Sequence, residues 1–327
     1  MSKASVIVSA PVPQELREQL EAKFQIVDVP VGASPTETLT PEQLNEIIGV
    51  VCTVRSKFDA NVMDAMPNLR VVSNFAVGFD NIDVPAATAR KILVCNTPRV
   101  LDAAVADITI GLMIMLGRDM LNGDAYVRDG NWATKGAPPL TRDIRGKTLG
   151  LLGMGRIGRV VAQTAKAFNM NVIYHNRNRC TDAEQEGLAQ YRDRDALFAE
   201  SDFISVHVPL TEETKGSVGA REFEMMKPTA YLINTARGAV VDEDALIEAL
   251  QSGKIAGAGL DVMVKEPLPA DSPLCKMRNV ILQAHVGSAT VETRRAMIEL
   301  ATKNLVDALS NTKPEAMVNP EVWGSRS

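Results

Sequence analysis

The stretch "GLLGMGRIGRVVAQTAKAF", Gly150–Phe168, places Gly153, Gly155 and Gly158 as G-x-G-x-x-G between an apolar run and a segment with helical periodicity. Each glycine answers a separate demand. The first permits a tight turn, the second lets backbone approach a pyrophosphate, and the third lets helix pack on strand, while the helix N-terminus attracts the anion. A lone match of this spacing is weak. Here strand, glycines, helix and a second strand, "NVIYH" (Asn171–His175), arrive in order, and together they predict a dinucleotide-binding unit.

The α/β alternation extends in both directions. Over roughly the first hundred residues the β-rich runs "SVIVS", "FQIVDV", "GVVCTV", "LRVVSN" and "ILVCN" alternate with helix-like segments such as "PQELREQLEAKF". Downstream, "KTLGLLG", "NVIYH", "DFISVHV", "AYLIN", "IAGAGLDV" and "NVILQAH" read as six strands of a doubly wound parallel sheet, with "DEDALIEALQSGK" among the helices between them. A long helix is expected from about Asp102 to Val127. Its first half is apolar nearly all round, which implies burial against other protein, and a homodimer is expected on that ground.

Composition bounds the class. The chain of 327 residues exceeds what one core usually organises, so two domains are expected, and 46% apolar residues suffice to build them. A net charge of −5 without any basic block argues against a nucleic-acid partner. The longest apolar run, "ITIGLMIMLG" (Ile108–Gly117), falls well short of the roughly twenty residues that cross a bilayer. The beginning, "MSKASVIVSAPVP", suits a first strand better than a secretion signal, so the expected location is cytoplasmic and free of membrane. Cys52, Cys95, Cys180 and Cys275 are widely spaced, without metal-site spacing to histidine, which predicts free thiols and no metal.

About twenty residues past the glycines, a dinucleotide-binding unit normally keeps a carboxylate for the adenosine ribose. This chain has "YHNRNR" (Tyr174–Arg179) there. A carboxylate would repel the extra phosphate of NADP; Arg177 and Arg179, with Asn176 and Asn178 as neutral donors, would attract it through charge-assisted hydrogen bonds. Two readings fit these residues: a clamp for a 2′-phosphate, and a solvated turn that happens to carry Arg and Asn.

In an open α/β sheet the ligand lies beyond the carboxyl ends of the strands. Residues there include Arg237 after "AYLIN", Asp261 and Glu266 in "GLDVMVKEP", and His285 in "ILQAHVGSAT". Reduction of a ketone requires a proton donor, and imidazole is the side chain best poised for that near neutrality. An adjacent glutamate would orient it, and an arginine could fork onto a substrate carboxylate. Of the three histidines, His207 lies in the apolar run "FISVHVPL", which favours a structural role. His175 belongs to the adenosine end, and His285 ends a strand before a small-residue turn. Taken singly, Glu266 reads equally as a surface carboxylate and Asp261 as a turn residue.

In their order along nearly the whole chain, "VGFDNID" (Val77–Asp83), "NTP" (Asn96–Pro98), "VADITIGLM", "GKTLGLLGMGRIG", "HVPLTEET", "INTARGAVVDEDAL", "GLDVMVKEPL" and "HVGSAT" resemble the D-isomer-specific 2-hydroxyacid dehydrogenases. The resemblance implies two Rossmann-like or flavodoxin-like α/β domains. Residues 1–100 plus 291–327 would form a discontinuous substrate-binding domain, and residues 101–290 the dinucleotide-binding domain. It implies Arg237, Glu266 and His285 as the catalytic trio, with His285 as proton donor. The backbone N–H groups of Val77 and Gly78, with Arg237, would bind substrate. The cofactor residues would be Gly153, Gly155, Arg156, Ile157, Gly158, Asn176, Arg177, Arg179, His207, Pro209, Thr214, Thr235, Ala236, Asp261 and Gly287, with Asp261 on the nicotinamide amide and Pro209 and Thr214 on the adenosine side.

Within the family, "DSPLCKMRNV", "GSATVETRRAM" and "NLVDAL" are similar to the glyoxylate/hydroxypyruvate and 2-ketoaldonate reductases, and "GNWATKGAPPLTRDIRGK" to hydroxyphenylpyruvate reductases. The function implied is NADPH-dependent reduction of small 2-oxo acids, glyoxylate and hydroxypyruvate, to D-2-hydroxy acids, with NADH as a second cofactor. The alternatives are 2-ketogluconate or hydroxyphenylpyruvate as substrate, and a non-catalytic, corepressor-like dinucleotide sensor. Four positions depart from the family pattern: Met263 where Phe is usual, Ala284 where Pro is usual, and Arg99 and Asp102 where Gly and Thr are common.

Overall fold

A computed structural model describes residues 3–325. They form two compact units, the first running to Leu101 and resuming at Thr290, the second spanning Asp102–Ala289.

The first unit is built on β1 (Ser5–Val8), β2 (Gln25–Asp28), β3 (Ile47–Cys52), β4 (Val71–Asn74) and β5 (Leu93–Cys95), parallel throughout and ordered β2-β1-β3-β4-β5. That is the flavodoxin-like order of a doubly wound sheet. β1, β4 and β5 are buried along their whole length, as strands of a sheet covered on both faces are, with the few polar side chains among them such as Ser73 and Asn74 hydrogen-bonded. The helix Val291–Leu309 lies on β3 and β4; a Cβ on Gly49 would come 2.8 Å from the Leu305 side chain, so glycine sets this close packing. The Ser73 hydroxyl donates to the Ala301 carbonyl at 2.7 Å. Asn319 accepts from Val94 N (2.8 Å) and donates to the Ile92 carbonyl (3.0 Å), which ties the end of the chain to the β5 edge.

The second unit carries β6 (Thr148–Leu152), β7 (Asn171–His175), β8 (Gln190–Tyr191), β9 (Phe203–Val206), β10 (Tyr231–Asn234), β11 (Gly257–Leu260) and β12 (Val280–Leu282), again all parallel, in the order β12-β11-β10-β9-β6-β7-β8. Strand order reverses between β6 and β9, the switch point at which such sheets bind ligands. The sheet has seven strands where six were expected. The additional strand, β8, is two residues long in "LAQYRD", too short to show a period of two in the sequence.

The expected helix over Asp102–Val127 is two helices, Asp102–Gly117 and Met120–Arg128, broken where Asp119 takes a left-handed backbone with φ 47°. The apolar first helix ends as its buried surface ends. Gly117 is wedged against Ile144 and Phe203, and the polar Arg118-Asp119 pair follows. Val105, Ala106, Ile110, Leu112, Met113 and Leu116 are buried within this unit, against the helix Arg156–Ala167 and strands β10 and β11. The apolar face on which a homodimer was expected is therefore covered by its own chain. The second helix has no buried residue and exposes Met120, Leu121 and Val127.

Candidate active site

With every strand of the second unit parallel, one edge of the sheet collects the segments that follow the strands: Gly153 after β6, Asn176 after β7, His207 after β9, Arg237 after β10, Asp261 after β11 and His285 after β12.

The three glycines divide their work as their backbone geometry requires. Gly153 has φ 110°, and a Cβ there would lie 2.7 Å from the His207 carbonyl carbon, so turn and close packing both demand glycine. A Cβ on Gly158 would stand 2.3 Å from the Gly153 carbonyl oxygen, which brings the helix onto the turn. A Cβ on exposed Gly155 would meet nothing within 4 Å; the chain itself sets no limit there, and the open space is what an approaching phosphate needs. Gly155 caps the helix Arg156–Ala167, whose first N–H groups, at exposed Arg156 and half-buried Ile157, have no intrahelical acceptor. These residues fit a dinucleotide pyrophosphate.

At the adenosine end, Asn176 braces the fold. Its Oδ1 accepts from Met154 N at 2.6 Å and its Nδ2 donates to the Cys180 Sγ at 3.0 Å, linking the end of β7 to the glycine loop. Arg179 is held too: Nε and Nη2 donate to Glu184, and the guanidinium lies 4.9 Å over the Tyr191 ring. The Tyr174 hydroxyl donates to the same Glu184 at 2.8 Å and accepts from Cys180 N at 2.7 Å. Arg177 is exposed and ion-paired to no carboxylate among the described residues, although its charge contributes to holding Glu213 below the usual carboxylate range, after the Thr211 and backbone hydrogen bonds. His175 faces the Arg192 carbonyl through Nδ1 at 3.0 Å.

His207 stands just past the end of β9, half-buried, with Nε2 2.8 Å from the Ser205 hydroxyl; burial pushes its pKa down to about 4, so it is neutral near pH 7. In the following loop the Thr214 hydroxyl donates to the exposed Pro209 carbonyl at 2.6 Å and accepts from Thr211 N at 2.8 Å. Thr235 is buried, its hydroxyl 3.0 Å from that of Thr109. Half-buried Ala236 donates its N–H to Asn234 Oδ1 (3.1 Å), and the Asn234 amide donates to the Arg237 carbonyl (3.0 Å), so one asparagine shapes the turn that carries the arginine.

His285 and Glu266 meet directly: His285 Nδ1 is 2.7 Å from Glu266 Oε2, while Glu266 Oε1 accepts from Met263 N at 3.1 Å. Burial alone would push the Glu266 carboxyl up, but the His285 hydrogen bond and charge, the Met263 N–H and the Arg237 guanidinium outweigh it and hold the group below its ordinary value. Asp261 builds the turn on which His285 sits. Its carbonyl accepts from His285 N at 2.8 Å, and its carboxylate from Val286 N (2.7 Å) and Gly287 N (2.8 Å). Burial dominates those hydrogen bonds and raises the Asp261 pKa. The network holds His285 at φ 55°, a conformation that non-glycine residues seldom adopt. A Cβ on Gly287 would fall 2.9 Å from Asp261 Oδ2, so glycine is required for the clamp.

In the first unit, Asn74 at the end of β4 donates to the Gly78 carbonyl and Asn96 just past β5 donates to the Val77 carbonyl, both at 2.8 Å. With the carbonyls drawn back, the N–H groups of Val77 and Gly78 donate to no acceptor among the described residues, an arrangement suited to an anion.

Sequence reasoning assigned no role to Asn74, Asn96 or Asn234, each an asparagine at or next to a strand end that shapes a turn with its amide. It also passed over Glu184 and Tyr191, which lie beyond the "YHNRNR" stretch they engage. Asp102, noted only as a departure, is nearly buried with Oδ2 3.3 Å from Arg156 Nε.

Residues 110–287 match the family described as D-isomer specific 2-hydroxyacid dehydrogenase, NAD binding domain. The chain is 42% identical to the glyoxylate reductase of Thermococcus litoralis, over 99% of either chain. It is 43% identical to glyoxylate/hydroxypyruvate reductase B of Cronobacter sakazakii, over 98% of this chain and 99% of that one. Among solved structures, the NADPH-dependent glyoxylate/hydroxypyruvate reductase of Sinorhizobium meliloti, in complex with NADP and malonate, superposes with a TM-score of 0.87 at 36% identity, covering 97% of both chains.

Proposed function

Because this chain belongs to the D-isomer specific 2-hydroxyacid dehydrogenases, enzymes that use a nicotinamide dinucleotide, we propose that it reduces glyoxylate and hydroxypyruvate to D-2-hydroxy acids with NADPH as preferred cofactor. The observation that carries the proposal is the 2.7 Å contact between His285 Nδ1 and Glu266 Oε2 at the ligand edge of the dinucleotide sheet. The reduced nicotinamide supplies the hydride. The residues of this chain bind, orient and provide the proton.

An ionised carboxylate only accepts, so Nδ1 is the donor in the His285–Glu266 bond and Nε2 is the nitrogen left to give a proton to the substrate oxygen. Arg237 serves the substrate carboxylate and the carbonyl beside it through its planar fork, and its charge already bears on Glu266. Within the first unit taken by itself, the Val77 and Gly78 amides, which donate to no described acceptor, are the groups suited to hold a carboxylate. Asp261 acts from behind, by fixing the turn of His285.

Cofactor preference rests on Arg177. Arg179 already engages Glu184 and the Tyr191 ring, whereas Arg177 is exposed and ion-paired to no carboxylate among the described residues, which supports it as the group for a 2′-phosphate. The relative solved with NADP and malonate supports both the cofactor and a small carboxylate substrate. The experiment is a panel of 2-oxo acids ranked by kcat/KM with NADPH and with NADH. Turnover of phenylpyruvates without glyoxylate would replace the substrate class, equal use of NADH would remove the cofactor preference, and binding without any turnover would leave a dinucleotide sensor.

A further inference from the structure

We propose that Asp102 is a positioning residue of the dinucleotide site which, acting through Arg156, loosens the grip on the pyrophosphate and thereby hastens cofactor release. The inference rests on the placement of the pyrophosphate at the helix Arg156–Ala167 given above.

Asp102 opens the helix Asp102–Gly117, Arg156 opens the helix Arg156–Ala167, and the two helices pack along one another. The first two turns of the Asp102 helix lie at the ligand edge, since Val105 and Ile108 are side chains that a Cβ on Gly287 would approach at 3.5 and 3.8 Å. Asp102 Oδ2 sits 3.3 Å from Arg156 Nε, with the Asp102 side chain 10% exposed and that of Arg156 53% exposed. The buried carboxylate thus takes the guanidinium by its inner nitrogen and leaves the two Nη groups as the ones able to fork onto a phosphate.

The second oxygen makes the arrangement informative. Asp102 Oδ1 is buried and accepts no hydrogen bond from any described residue. A carboxylate withdrawn from water with one ion-pair contact and an unused oxygen works against folding, and a neutral side chain of similar size would be easier to bury. Such an unfavourable group belongs to function when it sits beside a ligand site. Its effect there has a definite sign: Arg156 meets the anion already partly neutralised by Asp102, so the complex with pyrophosphate is weaker than Arg156 alone would make it.

The test uses the full-length protein and two probes, NADPH and ADP-ribose, the latter carrying the pyrophosphate without nicotinamide or 2′-phosphate. D102N should tighten both on the order of tenfold by titration and slow NADPH release in stopped-flow by a similar factor. In an R156Q background D102N should leave both affinities nearly unchanged. A merely structural Asp102 would behave oppositely, since D102N would then weaken binding and lower the melting temperature. Unchanged or weaker binding in D102N, or tightening that persists with R156Q, overturns the proposal; D102T provides a second neutral variant should D102N fail to fold. ADP-ribose affinity depends on neither glyoxylate turnover nor NADPH preference, so failure of the proposed function and failure of this inference are read separately.

Discussion

Glu266 Oε2 lies 2.7 Å from His285 Nδ1, while Oε1 of the same carboxylate accepts from Met263 N at 3.1 Å. The carboxylate is anchored to its own loop by one oxygen and orients the imidazole with the other, so the histidine cannot rotate without breaking a bond to an ionised group. A group orienting a base or acid in this way is the common element of histidine-dependent catalysis.

We expect His285→Ala to lower kcat by roughly 10²–10⁴, the usual worth of a positioned general acid, with NADPH affinity retained. Steady-state kinetics and cofactor titration check this together. Near-normal turnover in the variant would remove His285 from the mechanism.

The Glu266 carboxyl is held below its ordinary value, so its contribution to stability is complete above the usual glutamate range and is lost as pH falls through the lowered folded-state value. Glu266→Gln should abolish that acid-side component and reshape the pH profile of kcat more than it changes cofactor affinity. Melting curves and rate profiles on the acid side provide the measurement.

His207 adds a second window with a separate cause. Its pKa is pushed down to about 4 by burial, whereas in the unfolded chain it is near the ordinary value of about 6.5. Between those values the unfolded chain binds the proton and the folded one does not, so stability declines as pH falls from about 6.5 towards 4. His207→Gln should flatten this part of the curve; an unchanged slope would contradict the neutral imidazole.

The glycines of the loop should separate by property. Gly153→Ala and Gly158→Ala, whose Cβ atoms would lie 2.7 and 2.3 Å from backbone, should destabilise the unit by about 1–3 kcal/mol in denaturant titrations. Gly155→Ala, where a Cβ meets nothing within 4 Å, should leave stability unchanged and weaken dinucleotide binding. Equal loss of stability in all three would remove the assignment of Gly155 to the ligand.

Arg177→Ala should lower NADPH affinity ten- to a hundredfold, since a hydrogen bond to a charged group contributes about 1.5–3 kcal/mol, and leave NADH nearly untouched. Arg179→Ala, which removes an ion pair to Glu184 and a ring contact, should have the smaller effect on the NADPH to NADH ratio. Raising the salt should erode the Arg177 effect by screening.

The segment of residues 120–140 leaves Met120, Leu121, Val127, Trp132 and Leu140 exposed, more large apolar surface than any other stretch of the described chain presents. We expect it to close a homodimer, replacing the buried Asp102–Gly117 helix as the basis for one. Leu121→Asp with Trp132→Glu should shift sedimentation to the monomer; a wild-type monomer at micromolar concentration would exclude the assembly.

The sequence alone determined every strand but β8, the glycine loop, and the placement of Arg237, Glu266 and His285 in the segments that follow β10, β11 and β12. Those signals are local: strands buried on both faces are predominantly apolar, and a turn at φ 110° favours glycine. It also showed that no carboxylate follows β7 at the adenosine end. Tertiary structure alone decided which polar groups were already taken. Arg179 is spent on Glu184 and Tyr191, Asn176 on Met154 and Cys180, and the helix that looked too apolar for solvent is sheathed by its own sheet. Asp102 meets Arg156 across more than fifty positions of chain. A side chain's type records what it can bond, but its partner is set by which strand ends the sheet order brings to one edge. That order follows from the packing of whole elements, which no short stretch of sequence contains.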